Sequence, residues 1–167
     1  MTPELSRPFA VDRLGEGGAE EHIVASPAER AAVAKRLDLL ALDRLEAWLS
    51  LRLAAGATLL EIGGRIEASV VQSCVITLEP VPAKLSLPVE ITYALTRGGP
   101  EQPEESLDPD APEPLPPGGL DLGEEVVQML SLGLDPYPRA PGAALPEEPD
   151  SAPEHPFAKL RELKPRK

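Results

Sequence analysis

Cys74 is the only cysteine in a chain of 167 residues, and it lies in the run Val70–Pro80, VVQSCVITLEP. A thiol acts as a nucleophile or metal ligand as its thiolate, and a nearby cation or a helix N-terminus is the usual means of lowering its pKa. No Lys, Arg or His stands close to Cys74 in sequence. The expected role is therefore a small buried apolar residue in or beside a strand. One cysteine makes neither an internal disulfide nor, alone, a zinc site. Glu79 reads as a solvated turn residue. His22 and His155 lack Cys, Asp or Glu neighbours at metal-binding spacing. His22 falls in a strand-like segment and is expected to be exposed, and His155 falls in a tail. Neither has the partner that a general base needs.

The remaining ionisable residues suggest surfaces rather than chemistry. With 28 Asp and Glu against 16 Lys and Arg, the net charge is −12. That balance favours solubility and argues against generic binding to a phosphate backbone. The glycine pairs at 17–18, 63–64, 98–99 and 118–119 have no accompanying lysine of a phosphate-binding loop, and turns account for them. One stretch is basic. Phe157–Lys167 carries Lys159, Arg161, Lys164, Arg166 and Lys167 against Glu162 alone. It suits contact with RNA phosphates. A solvated terminus, or packing of Phe157, Leu160 and Leu163 on the domain, explains it equally well.

Around these residues the pattern is mainly that of a sheet. Phe9, Val11 and Leu14 suit an edge strand over Ser6–Leu14, and Ala19–Ala25 reads as the strand returning from the turn at residues 15–18. Ser26, Pro27 and Glu29 give a capping box and an N1 proline for a helix to about Leu37. Leucines at alternate positions over Leu45–Leu53 predict a strand from about Leu42. After a turn at 54–57, Leu59–Gln72 predicts the next strand, with a bulge or break at Gly63-Gly64. A turn through Cys74–Pro80 leads to the clearest alternation, Leu85, Leu87, Val89, Ile91, Tyr93 and Leu95. Pro88 places that strand towards a sheet edge or a bulge.

Arg97–Gly119 is different in kind. From Pro100 to Pro117 it holds six carboxylates and seven prolines. Such a segment has little to bury, and it predicts a flexible acidic loop. Asp121 then caps a helix over Leu122–Leu134, with Glu124 three residues on and an apolar stripe of Val126, Val127, Leu130 and Leu134. The expected fold is α+β: a mainly antiparallel sheet of five or six strands with two packed helices. The organisation is one domain over 1–139, a loop inserted at 97–119, and a Pro-rich, basic tail over 140–167. No apolar run approaches the roughly 20 residues of a membrane span.

The stretches CVITLEP, LDLGEEVVQMLSLGLDPYPR and HPFAKLRELK resemble the YceD family, the large ribosomal RNA subunit accumulation proteins. SRPFAVDRL, SPAERAAVAKRL and the LAL that follows resemble its alphaproteobacterial version. The motif residues carried over are Cys74, Thr77, Leu78, Glu79, Pro80, Asp121 and Leu122. The resemblance implies a non-catalytic bacterial or plastid factor needed for accumulation of large-subunit (23S) ribosomal RNA. Its gene often neighbours one for a large-subunit ribosomal protein. Many relatives carry a C-x-x-C where this chain has Cys74-Val75-Ile76-Thr77, so any metal or redox work by that pair is lost here.

The expectation is therefore a cytoplasmic binding protein with no cofactor, no metal, no membrane contact and no small-molecule substrate. Its partner is ribosomal RNA or a large-subunit ribosomal protein. The alternative is an adaptor that captures a basic ribosomal protein through the acidic loop or the apolar helix face. A nuclease is the weakest of the three readings, since no carboxylates converge at metal spacing.

Overall fold

Leucines at every second position after Leu45 are a sheet pattern, and in the computed structural model, which describes residues 3–15, 17–95, 112–116 and 118–144, they form a strand. β3, Ala41–Ala54, buries Leu45, Ala47, Leu49 and Leu51 on one face. β4, Leu59–Ser73, pairs antiparallel along β3 and buries Leu60, Ile62, Ile66, Ala68 and Val70. β5, Pro80–Ala94, pairs antiparallel with all of β4, and β2, Ala19–Val24, pairs antiparallel with the other side of β3. β6, Glu113–Pro114, lies parallel to the end of β5, giving the order β2-β3-β4-β5-β6. The α+β class follows from the two helices packed on this sheet.

Each helix begins where its cap requires. α1, Pro27–Arg36, starts from Ser26, whose hydroxyl accepts the Glu29 N–H while the Glu29 carboxylate accepts the Ser26 N–H. Asp38 takes a left-handed φ of 53°, which ends the helix, and α1 buries Val33 and Ala34. α2, Leu122–Gly133, starts from Asp121 and buries Leu122, Val126, Val127 and Leu130. It packs against β5 and β4. Leu134 of the expected stripe is only half-buried. Behind the stripe, the buried Tyr93 hydroxyl donates to Glu125 Oε1 at 2.7 Å, and burial pushes the Glu125 carboxyl up. Among the described residues no helix is long and apolar enough to cross a membrane.

Three local expectations need correction. Ser6–Leu14 does not pair with Ala19–Ala25. Only Pro8–Phe9 forms a strand, β1, which pairs with β7, Leu120–Asp121, while Val11–Arg13 forms a 3-10 turn. β2 instead joins β3, where Ile23 is buried opposite Ala47, so the wide apolar sheet outcompetes a hairpin against a short strand that opens on proline. Gly63-Gly64 does not break β4, since both residues keep register with Ser50 and Leu49. The irregularity falls at Leu42/Arg44. A Cβ on Gly64, at φ 155°, would overlap the Trp48 carbonyl oxygen, so the glycine serves close strand approach. The loop expected over 97–119 is structured at its far end, where Glu113–Pro114 joins the sheet and the Leu115 N–H donates to the Ala94 carbonyl. Its residues 97–111 and 117 lie outside the described residues.

Candidate functional site

Between β4 and β5 the chain turns through Cys74–Glu79. The Cys74 N–H donates to the Glu79 carbonyl at 2.8 Å, and the Leu78 N–H donates to the Cys74 carbonyl at 3.0 Å. Thr77 Oγ1 lies 3.1 Å from Glu79 Oε2 and also accepts the Glu79 N–H at 3.4 Å. Closing so tight a turn forces Leu78 to φ 61°, a conformation that L side chains disfavour. Leu78 nevertheless stands exposed, as does Val75.

The segment after α2 returns to this turn. Gln72 Nε2 donates to the Asp135 carbonyl at 2.9 Å, and the Val75 N–H donates to the Pro138 carbonyl at 2.9 Å. Asp135 Oδ1 accepts the Tyr137 N–H at 2.9 Å, which shapes the bend that leaves Tyr137 exposed and Pro138 buried. Finally the Ala140 N–H reaches Cys74 Sγ at 3.3 Å. CVITLEP and LDPYPR, far apart in sequence, thus form one tip that presents Val75, Leu78 and Tyr137 to solvent.

Cys74 is buried at the centre of this tip, as expected from sequence. Its surroundings differ from expectation. The Ala140 N–H, the Thr77 hydroxyl and N–H, and the Ile76 N–H all act on the sulfur, and together they lower the thiol to about 6 against the opposing effect of burial. No cation is needed, because backbone donors favour a thiolate in the same way. No window around Cys74 contains this arrangement, since one of those donors comes from 66 residues away. Thr77 supplies one backbone donor to the sulfur at 3.4 Å.

Asp121 and Leu122 belong to a separate construction. The Asp121 carboxylate accepts from Ser6 Oγ at 2.6 Å, Arg7 N–H at 2.6 Å, Gly123 N–H at 2.9 Å and Glu124 N–H at 3.3 Å. Burial pushes this carboxyl up, but the four donors prevail and hold it below its ordinary value. The Leu122 N–H donates to the Arg7 carbonyl, so the start of the chain is tied to the start of α2. Arg7 forms a bidentate pair with Glu29 at 2.7 and 3.2 Å, which with the Ser26 N–H lowers Glu29 to about 2. Glu124 does not complete a capping box; it pairs with Arg36 at 2.6 and 2.7 Å. These residues clasp α1, α2 and the N-terminal segment together.

The face of the sheet away from the helices carries a third group. His22 is exposed as expected, but it is stacked on Trp48, with ring centroids 4.9 Å apart and planes at 12°. The Arg65 guanidinium lies 4.7 Å from the Trp48 ring. The strand registers His22↔Trp48↔Arg65 bring the three together, and sequence reading passed over the set because it depends on β2 joining β3. On α2, Val126, Val127 and Leu130 are buried against the sheet, while Leu134 is half-buried and Leu132 stands exposed. Lys159, Arg161, Lys164, Arg166, Lys167 and His155 lie outside the described residues.

A family model described as "Large ribosomal RNA subunit accumulation protein YceD" matches residues 62–164, well over half of the chain. The match begins within β4 and takes in the Cys74 turn, β5, α2 and the segment that returns to the tip. Neither the curated proteins nor the solved structures yield a match to this chain.

Proposed function

This chain belongs to the YceD family, and from that membership we propose that it is a non-catalytic ribosome-biogenesis factor supporting accumulation of large-subunit (23S) ribosomal RNA. It acts in the cytoplasm by binding ribosomal RNA or a large-subunit ribosomal protein, without cofactor or small-molecule substrate. Its opening residues, SRPFAVDRL, support an alphaproteobacterial type. The observation that carries the reading is the tip. Two motif stretches inside the family match converge to hold Val75, Leu78 and Tyr137 exposed on a backbone fixed by the Cys74 sulfur. Exposed apolar residues on a rigid turn suit recognition.

The test is complementation of a strain lacking the gene, read as the ratio of large- to small-subunit ribosomal RNA. A variant with Val75→Ser, Leu78→Ser and Tyr137→Ser is expected to fold with a near-normal melting midpoint and fail to restore the ratio. Full restoration at normal protein level would refute the reading. A pull-down with and without RNase then separates the partners: loss of ribosomal material on treatment indicates direct RNA contact.

A further inference from the structure

The two outer edges of the sheet are finished differently. At the end of β5, the Leu95 N–H donates to Thr58 on the β4 side, while the Ala94 carbonyl accepts from Leu115 on the far side. Backbone groups alternate in direction along a strand, so the even-numbered residues of β5 face away from β4. Pro80, Pro82 and Pro88 all belong to that even set. Each removes an outward donor, and together they bar an incoming strand.

β2 has no such protection. The Ala25 N–H donates to the Leu45 carbonyl, which turns the odd-numbered residues of β2 towards β3. The N–H and C=O groups of Glu20, His22 and Val24 therefore face outward. β2 contains no proline, and among the described residues these three make no backbone hydrogen bond outside the sheet. The strand's own charges are acidic: Glu20 and Glu21 stand exposed on opposite faces, and β2 has no Lys or Arg. Behind them Glu46, 3.8 Å from His22, is paired with Arg44 at 3.0 Å, and Arg65 lies over Trp48, so the acidic contacts for a guest are Glu20 and Glu21. A cavity of about 420 Å³ opens beside the His22–Trp48 stack, with Glu20, Glu21, Ser50 and Gly64 in its lining.

We propose that the β2 edge is a docking strand that takes up an extended, lysine- or arginine-bearing segment of a partner protein as an added strand of the sheet. Open donors and acceptors at every second residue supply main-chain hydrogen bonds, and alternate side chains of the guest meet Glu20 on one face and Glu21 on the other. RNA is the poorer guest, because it has no strand backbone and its phosphates would face carboxylates. The proposal deepens the binding function above and rests on it: of the two partners named there, it selects the basic polypeptide.

The full chain is titrated with an acetylated, amidated octapeptide of alternating lysine and valine, and amide hydrogen exchange is followed residue by residue. Saturation is expected to slow exchange at Glu20, His22 and Val24 about ten-fold while leaving the tip amides unchanged. His22→Pro copies the device of β5 and is expected to weaken binding about ten-fold, against less than about three-fold for His22→Ala. Reversal of Glu20 and Glu21 to lysine should weaken binding by a similar factor to His22→Pro. The proposal is overturned if none of the three amides is protected at millimolar peptide, or if His22→Pro binds as well as the natural chain. Protection of the same amides by an oligouridine RNA instead of the peptide also overturns it. Should His22→Pro fail to fold, the protection pattern of the natural chain decides. Absent edge protection with failed complementation by the tip variant refutes this proposal alone; edge protection with full complementation refutes the functional reading alone.

Discussion

Under α2, the apolar side chains of Val126, Val127 and Leu130 are at most 1% exposed, whereas at the Cys74 turn Leu78 is 76% exposed, Tyr137 70% and Val75 49%. Both regions are apolar, and both fall inside the family match. In the first, side chains interlock and the backbone is an ordinary capped helix. In the second, hydrogen bonds fix the backbone from within and the side chains contact solvent. The same residue types thus serve stability in one place and leave a surface free for recognition in the other. The division makes a sharp demand: substitutions under α2 should cost stability first, and substitutions at the tip should cost function first.

The largest effect is expected from Leu130→Ala, which opens a cavity between α2 and the sheet and should cost roughly 2–5 kcal/mol in a denaturant melt. An unchanged midpoint would break the comparison at its firmer end. Asp121→Ala comes next, at about 1–3 kcal/mol, since it removes a helix cap and strands partly buried donors from Ser6 and Arg7. The neighbouring Arg7–Glu29 pair should appear in the acid dependence of stability. Glu29 is held at about 2 in the fold against an ordinary value of 4.5. A lowered carboxyl contributes stability in full above its unfolded value and loses it as pH falls through the folded one. Glu29→Gln should therefore be destabilising at neutral pH, with the difference from the natural chain shrinking from near pH 4.5 towards pH 2. A pH-independent difference would mean that shape rather than charge holds the clasp.

The same contrast explains what was legible in the sequence. Period-two alternation marks β3 and β5, and the capping residues Ser26 and Asp121 mark both helices, because these signals are local. The stripe of α2 was legible for the same reason. Pairing choices were less so: β2 lies beside β3 because of what the sheet offers, which no window around residues 19–24 contains. The tip was half legible. Its motifs stood out, but their meeting depends on the Val75 and Ala140 amides finding partners across the fold. Tyr137, an aromatic between two prolines, is the one local sign of an exposed contact residue there.

Cys74 tests the boundary between the two regions, being buried like the core yet part of the tip. Its sulfur accepts N–H donors from Ile76, Thr77 and Ala140. Cys74→Ala strands those donors and should cost roughly 1–3 kcal/mol, while Cys74→Ser keeps an acceptor and should cost less. Large-subunit ribosomal RNA should remain near normal in Cys74→Ser, which keeps an acceptor for the amides that fix the tip. In the natural protein a soluble alkylating reagent should react slowly even above pH 6, because burial blocks access to a thiol held at about 6. Fast labelling that titrates near pH 6, or strong loss of ribosomal RNA in a folded Cys74→Ser protein, would assign the sulfur a chemical role instead.

The smallest expected change in stability comes from Leu78, and it is the most discriminating test. A left-handed conformation costs an L residue with a Cβ roughly 1–2 kcal/mol, a cost glycine avoids. Leu78 is largely exposed, so its side chain returns little of that by burial. Glycine also loses more backbone freedom on folding, which offsets part of the relief. Leu78→Gly should therefore leave the melting midpoint unchanged or raise it by up to about 1 kcal/mol in stability. If the strained leucine is there for what it contacts, the same variant should support less large-subunit ribosomal RNA than the natural protein. A destabilised Leu78→Gly would show that the side chain belongs to the core after all. Unchanged stability together with full ribosomal RNA accumulation would remove Leu78 from the recognition surface and leave Val75 and Tyr137 to carry it.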